Sequence, residues 1–305
     1  MKHLISITEL SGDEINWLIN SAVELKKKSL PIEAPLKGKS LGLVFQKPST
    51  RTRVSFEVGM AQLGGYSIYL GSDDIELGVR EETRDIARTL SRYLDAIVAR
   101  TFSHHTVIEL AKYSSIPIIN GLSDLQHPCQ ALSDVLTIKE KLGRLAGLKI
   151  AYIGDGNNVL NSLMQAGAKL GASVAIATPK GYEPDEAILK EAAIEAKKRR
   201  SRITIEKTPQ DAAKEADVLY TDVWVSMGQE KERAERVRAF RGFQINSKLL
   251  AIAKKDCLVM HCLPAHRNEE ITDEVIEGKN SIVFDQAENR LHMQKAILVE
   301  LMGRG

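Results

Sequence analysis

No stretch of this 305-residue chain approaches the roughly 20 consecutive apolar residues that a membrane-spanning helix needs. The opening segment, Met1 to Leu10, has neither the apolar core of a secretory signal nor the Arg- and Ser-rich character of an organelle transit segment. The expectation is a cytoplasmic protein without a leader. Cysteine is scarce: Cys129, Cys257 and Cys262 are few and odd in number, which argues against a disulfide framework and for a reducing compartment. An excess of one charge is missing as well. The 42 basic residues nearly cancel the 40 acidic ones, leaving +2, and the charges are interspersed rather than gathered into a basic face, so nucleic acid is not an expected partner. There is no internal repeat and no low-complexity tract.

What is present is an alternation. With 43% hydrophobic residues, a chain of this length can bury two cores. Short β-branched runs (Leu41 to Phe45, Tyr66 to Leu70, Ala96 to Ala99, Ile116 to Ile119) alternate with helix-period segments in the first half. Six more follow: Leu148 to Ile153, Ser173 to Ala177, Ile203 to Glu206, Val218 to Thr221, Cys257 to His261 and Ser281 to Phe284. This is the pattern of βαβ units and parallel sheets. The helical stretch from Pro128 to Leu142, closed by Gly143, separates four strands from six. The predicted fold is therefore α/β, with two domains, each a parallel β-sheet flanked by helices. Residues 1–133 form the first and 134–287 the second, with a C-terminal helix over 288–305 packing back on the first. The functional site is expected in the cleft between them. Between the first two strands, Val54, Val58, Ala61 and a second row, Phe56, Met60, Leu63, make a helix apolar on two sides and predicted to be buried, ended by Gly64-Gly65. The segment Pro184 to Arg200, by contrast, reads as a solvated outer helix.

The chemistry-bearing residues collect just past predicted strand ends, where open parallel sheets bind ligands. Ser49-Thr50-Arg51-Thr52-Arg53 opens the predicted buried helix, so three hydroxyls, free backbone N–H groups and two guanidinium groups meet at a helix N-terminus. Either Ser49 or Thr50 merely caps the helix, or the group holds a phosphate; the density of donors favours the phosphate. Arg100 follows the Ala96 to Ala99 strand. His127-Pro128-Cys129-Gln130 opens the linking helix, with Pro128 suited to the first helical position.

In the second half, Gly154-Asp155-Gly156-Asn157-Asn158-Val159 resembles a dinucleotide-binding turn. The third glycine is replaced by Val159, and the next strand ends in Ala177-Thr178-Pro179-Lys180 without the acid that would bind a ribose. Asp222 and Ser226 stand past the Val218 to Thr221 strand, where each could simply cap a helix. His261-Cys262-Leu263-Pro264 ends another strand; neighbours on a strand point to opposite faces, and no other Cys or His stands at metal-ligand spacing, so no metal is expected. Glu288-Asn289-Arg290 opens the predicted last helix, where an arginine opposes the helix dipole unless an anion lies nearby. An oxidoreductase using a dinucleotide and a non-catalytic anion-binding protein are the rival readings.

Taken together, S-T-R-T-R at 49–53, H-P-C-Q at 127–130, D-x-x-x-S-M-G at 222–228, H-C-L-P at 261–264 and E-N-R at 288–290 closely resemble the ornithine carbamoyltransferases, over essentially the whole chain. The aspartate-using branch shares the first two motifs, but the later ones look like the ornithine branch. The resemblance implies that Ser49, Thr50, Arg51 and Thr52 hold the phosphate of carbamoyl phosphate, with Arg100 and Arg290 assisting. It implies that His127 and Gln130 meet the carbamoyl end, that Asn158, Asp222, Ser226 and Met227 bind ornithine, and that Cys262 and the Leu263 backbone lie near the reacting carbon. Arg100, His127, Cys262 and Asp222 are the expected catalytic residues. No cofactor is implied, and a trimer or multiple of trimers is. A transferase using another amine, such as putrescine, is the alternative within the family, and the lack of a visible regulatory domain favours a biosynthetic role in making arginine. One departure is Glu76, in the Ser72 to Arg84 loop, where a neutral residue such as Gln is expected; an acid beside phosphate is unfavourable, and no role is assigned to it.

Overall fold

Strand residues buried on both faces set the architecture. The computed structural model describes residues 1–27, 34–75, 77, 78 and 80–303, so Glu76 lies outside the described residues. The chain divides into two compact units, Met1–Leu136 with the segment from Glu288 onward, and Thr137–Ala287. The first division falls inside the Pro128–Leu142 helix.

The first unit holds a four-stranded parallel sheet, β1 (Ser40–Phe45), β2 (Tyr66–Leu70), β3 (Ala96–Arg100) and β4 (Ile118–Leu122), in the order β2-β1-β3-β4. Every residue of β1 and β3 is buried, as the interior strands of a sheet covered on both sides require. The chain leaves β1 towards β2 on one side and returns to β3 on the other. That reversal opens the crevice beyond the strand ends where α/β sheets take ligands. Phe45 is in register with Arg100, so Arg100 is the last residue of β3 rather than part of the loop after it.

The second unit holds five parallel strands, β5 (Lys149–Ile153), β6 (Ser173–Ala177), β7 (Ile203–Ile205), β8 (Val218–Thr221) and β9 (Leu258–His261), in the order β7-β6-β5-β8-β9. Its reversal lies between β5 and β8, and Thr221 pairs with His261. The loops leaving β5, β8 and β9 are therefore neighbours.

Two expectations are corrected. Ser281 to Phe284 is not a strand: Ser281 makes a single bridge to Val259, and a helix runs over Val283–Met302. A four-residue apolar run cannot by itself distinguish strand from helix, and the helix-spaced Met293, Ala296 and Ile297, all buried, decide for helix. Glu288-Asn289-Arg290 consequently lies in the interior of that helix and does not open it. The Thr50–Gln62 helix is also less buried than its two apolar rows suggest. Phe56, Met60 and Leu63 are fully buried, whereas Val54 and Val58 are 49% and 39% exposed. Its buried side meets the last helix, where Gly59 lies against Lys295 and Leu291, and Lys295 Nζ donates to Gln62 Oε1 at 3.0 Å.

Candidate active site

The first unit assembles a cluster of cations around one helix N-terminus. Ser49 is extended (φ −160°, ψ 111°) and its hydroxyl accepts from the Thr52 N–H at 3.2 Å, so it does cap the Thr50–Gln62 helix. Capping and anion recognition are compatible, because a cap leaves the other first-turn N–H groups pointing outward. Arg100 reaches across from β3 and its Nε donates to the Lys47 carbonyl at 3.2 Å. Arg290 comes from the last helix: one terminal nitrogen donates to Gln130 Oε1 at 2.5 Å and the other to Thr52 Oγ1 at 3.1 Å. Gln130 in turn donates to Asp134 Oδ1 at 2.9 Å. Three helices are thereby joined by one guanidinium fork.

The electrostatics follow from this crowding. Arg100 is pushed down to about 10, chiefly by burial and then by Arg290 and Arg51. Lys47 falls to about 8 through burial and the Arg100 charge, partly offset by Asp124. His127 is held well below the ordinary imidazole range, first by burial and then by Arg290, Arg100, Lys47 and Arg51. Among the described residues, neither Arg51 nor Arg100 forms an ion pair with a carboxylate. Like charges that lower Arg100 and Lys47 are a stored electrostatic cost, and a bound dianion relieves it. Arg53 does not join them. Its Nε donates to Glu57 at 3.0 Å and its guanidinium lies 3.9 Å from the centre of the Tyr69 ring, so only one of the two arginines in the motif points to the cluster.

The second unit builds a different group at the ends of β5, β8 and β9. Asp222 accepts three hydrogen bonds: from Cys262 Sγ at 2.9 Å and the Val223 N–H at 2.8 Å on Oδ1, and from Asn157 Nδ2 at 2.7 Å on Oδ2. Asn157 also caps the Asn158–Lys169 helix, its Oδ1 accepting from Val159 and Leu160. Asn158 is the first residue of that helix. Ser226 and Met227 continue the loop from Asp222; Met227 is exposed, while the preceding Trp224 is buried and stacks on Phe240 at 5.7 Å. Arg236 braces the same loop, donating to the Trp224 carbonyl at 3.2 Å and pairing with Asp155 at 3.2 Å. Burial lifts Asp155 to about 6, while Arg236 opposes the rise and Asp222 adds to it.

The turn after β9 orients Cys262. Leu263 has φ +58°, a left-handed conformation that costs a non-glycine residue about 1–2 kcal/mol. Its N–H donates to His261 Nδ1 at 2.9 Å, and the other imidazole nitrogen lies 3.1 Å from Glu270 Oε1. A nitrogen that accepts from an amide carries no proton, so Nε2–H donates to Glu270. With both ring nitrogens engaged, the neighbouring group Asp222, His261 and Cys262 is a hydrogen-bonded array rather than a set of metal ligands.

The glycines of the Gly154 to Asn158 turn serve the chain itself. A Cβ on Gly156 would come within 2.3 Å of the Glu183 carbonyl carbon and Pro184 nitrogen, and the Gly156 N–H donates to the Tyr182 carbonyl at 2.9 Å. In a dinucleotide site that close approach belongs to a pyrophosphate; here a neighbouring loop occupies it.

Comparison with known proteins identifies the family. The family model described as "Aspartate/ornithine carbamoyltransferase, carbamoyl-P binding domain" matches residues 2–140, and its companion, "Asp/Orn binding domain", matches residues 146–301. This chain belongs to the aspartate/ornithine carbamoyltransferase family. An ornithine carbamoyltransferase of Anoxybacillus flavithermus is 54% identical over 99% of this chain and 96% of its own. The protein described as "Ornithine carbamoyltransferase, anabolic" from Pyrococcus furiosus is 53% identical over the same shares. A solved structure of ornithine carbamoyltransferase from Pyrococcus furiosus superposes with a TM-score of 0.97 at 52% identity, covering 100% of this chain and 98% of that one. Within this carbamoyltransferase fold, sequence reasoning passed over Lys47, Asn157 and Glu270. Lys47 stands two residues past β1, so the strand-end rule that selected Ser49 could have found it. Asn157 was hidden beside Asn158 in a run of two identical residues, and nothing local marks Glu270.

Proposed function

We propose that this chain transfers the carbamoyl group of carbamoyl phosphate to the δ-amine of L-ornithine, giving L-citrulline and phosphate, in arginine biosynthesis. The observation that carries the reading is the crowding of Arg51, Arg100, Arg290 and Lys47 near the start of the Thr50–Gln62 helix, where burial and the neighbouring charges lower Arg100 and Lys47. In this reading Ser49, Thr50, Arg51 and Thr52 hold the phosphate, with Arg100 and Arg290, and His127 and Gln130 meet the carbamoyl group. His127, neutral because of its surroundings, serves as a hydrogen-bond donor to the carbonyl oxygen, and Arg100 and Thr52 share in stabilising the developing oxyanion. Asn158, Asp222, Ser226 and Met227 bind ornithine, and Cys262 with Asp222 orients its δ-amine, with the Leu263 backbone near the reacting carbon.

The amine attacks as the neutral species, which is scarce at pH 7 for a group of ordinary pKa about 10. Its lone pair forms the new C–N bond, the carbon–oxygen bond to phosphate breaks, and the proton shed by nitrogen balances the protonated phosphate released. Holding both reactants in line supplies much of the acceleration, and no covalent enzyme intermediate is required. A steady-state assay of carbamoyl phosphate with ornithine, putrescine, lysine and aspartate, read as ureido product, tests this. Ornithine should show the highest kcat/KM; a preference for putrescine or aspartate, or no ureido product, would overturn it.

We also propose a homo-oligomer, a trimer or a multiple of trimers, in the cytoplasm. Exposed Val54, Val58, Tyr66 and Ile68 on the first unit support the first part, and three free cysteines support the second. Light scattering on the purified chain should give a mass divisible by three protomers.

A further inference from the structure

We propose that His266, Glu269 and Glu270 form a binding site for a divalent transition-metal ion, separate from the array at Cys262. One ligand atom from each of the three lies within 4.8 Å of the others, and His266 Nδ1 is 4.0 Å from Glu270 Oε2. That distance is too long for a hydrogen bond. Zinc bonds of about 2.0–2.1 Å at tetrahedral angles hold ligand atoms roughly 3.4 Å apart, so the His266–Glu270 pair must close by about half an ångström and no pair by more than about 1.4 Å.

The second observation is an unsatisfied buried oxygen. Glu270 is fully buried, and its Oε1 accepts from the His266 N–H at 2.5 Å and from His261 Nε2 at 3.1 Å. Its Oε2 has no hydrogen-bond partner among the described residues, and the same holds for His266 Nδ1 and Glu269 Oε2. Three unsatisfied polar atoms on neighbouring side chains, one of them on a fully buried carboxylate, need a cation or a donor to compensate them. The other Glu269 oxygen is held by Arg233, and Oε2 keeps no hydrogen-bond partner among the described residues. His266 and Glu269 are 41% and 25% exposed at their side chains, which provides an entry path and room for water ligands. One imidazole with two carboxylates suits Zn²⁺, Co²⁺ or Mn²⁺ better than Ca²⁺ or Cu⁺. Glu270, donated to by His261, resembles the ligating carboxylates that outer hydrogen bonds orient. The sequence-level expectation of no metal came from the spacing of Cys and His, and a histidine with glutamates at i+3 and i+4 on a loop escapes that criterion.

The full-length chain, stripped with a chelator and dialysed, is titrated with Zn²⁺ by calorimetry and with Co²⁺ by visible absorption. One ion per chain is expected. His266→Ala and Glu269→Gln should each weaken binding by at least about tenfold while keeping the metal-free melting temperature, and Cys262→Ser should bind as the parent does, without sulfur-to-cobalt charge transfer in either. Absence of saturable binding, binding that survives both substitutions, or binding lost with Cys262→Ser would overturn the proposal.

Discussion

The Cys262 thiol donates to Asp222 Oδ1 across 2.9 Å, joining the loops that leave two adjacent parallel strands. Cys262→Ala removes that donor and leaves Asp222 with only the Val223 amide on that oxygen. A hydrogen bond to a charged group contributes about 1.5–3 kcal/mol, so kcat/KM for ornithine should fall roughly ten- to hundredfold. Cys262→Ser, which keeps a donor, should lose less. Equal kinetics for the alanine variant and the parent would remove Cys262 from the site.

The two arginines of the Ser49 to Arg53 motif should separate cleanly. Arg51→Ala should lower kcat about 10²–10³-fold, the range for losing one preorganised stabilising group. Arg53→Ala should stay near the parent, since Arg53 pairs with Glu57 and lies on Tyr69. Side-by-side kinetics with carbamoyl phosphate varied would refute the assignment if the two variants were equally impaired.

Removing a charge near His127 should release its imidazole in part. Arg290→Gln keeps hydrogen-bonding capacity towards Thr52 and Gln130 but deletes the second-largest cause of the low His127 pKa. Its NMR titration should move upward yet remain below 6.5, because burial is the larger cause. An unmoved or lowered midpoint would contradict the crowding argument.

Acid should destabilise the fold through the same residue. The unfolded chain protonates His127 near pH 6.5, whereas the folded chain keeps it neutral, so stability is lost as pH falls through that value. His3, His104 and His292 are lowered too and add to the slope. Denaturant unfolding of His127→Asn across this range should show a shallower loss with acid than the parent. Parallel curves would count against it.

Phosphate binding should weaken on the alkaline side. Lys47 titrates at about 8 in the ligand-free chain, so its positive charge disappears above that pH and an anion loses one attractive partner. Calorimetric phosphate affinity should decline through this range in the parent and be flatter in Lys47→Met. A decline of equal size in the variant would assign the effect to another group.

Much of the site was legible because its residues sit where strands end. The runs ending at Phe45, Thr221 and His261 were bounded within a residue of their observed ends, and the motifs that follow them carry the clustered side chains. Errors arose where local pattern is ambiguous. Ser281 to Phe284 has the composition of a strand and the neighbours of a helix, and Val54 with Val58 has the spacing of a buried row but faces outward. Arg53 shares a motif with Arg51 yet lies about 200° away from it around the helix at roughly 100° per residue.

The linear order of residues determined, by itself, the α/β alternation, the two sets of strands and the grouping of hydroxyls and guanidinium groups at one helix start, because propensity, periodicity and capping act within a few residues. Only the tertiary structure decided which side chains meet. Arg290 lies 238 residues from the Thr52 hydroxyl it donates to, and Asn157 lies 65 residues from Asp222. Such contacts depend on strand order and on which helix face is buried, and so do the depressed pKa values of Lys47 and His127, which arise from burial and from charges brought close by the fold.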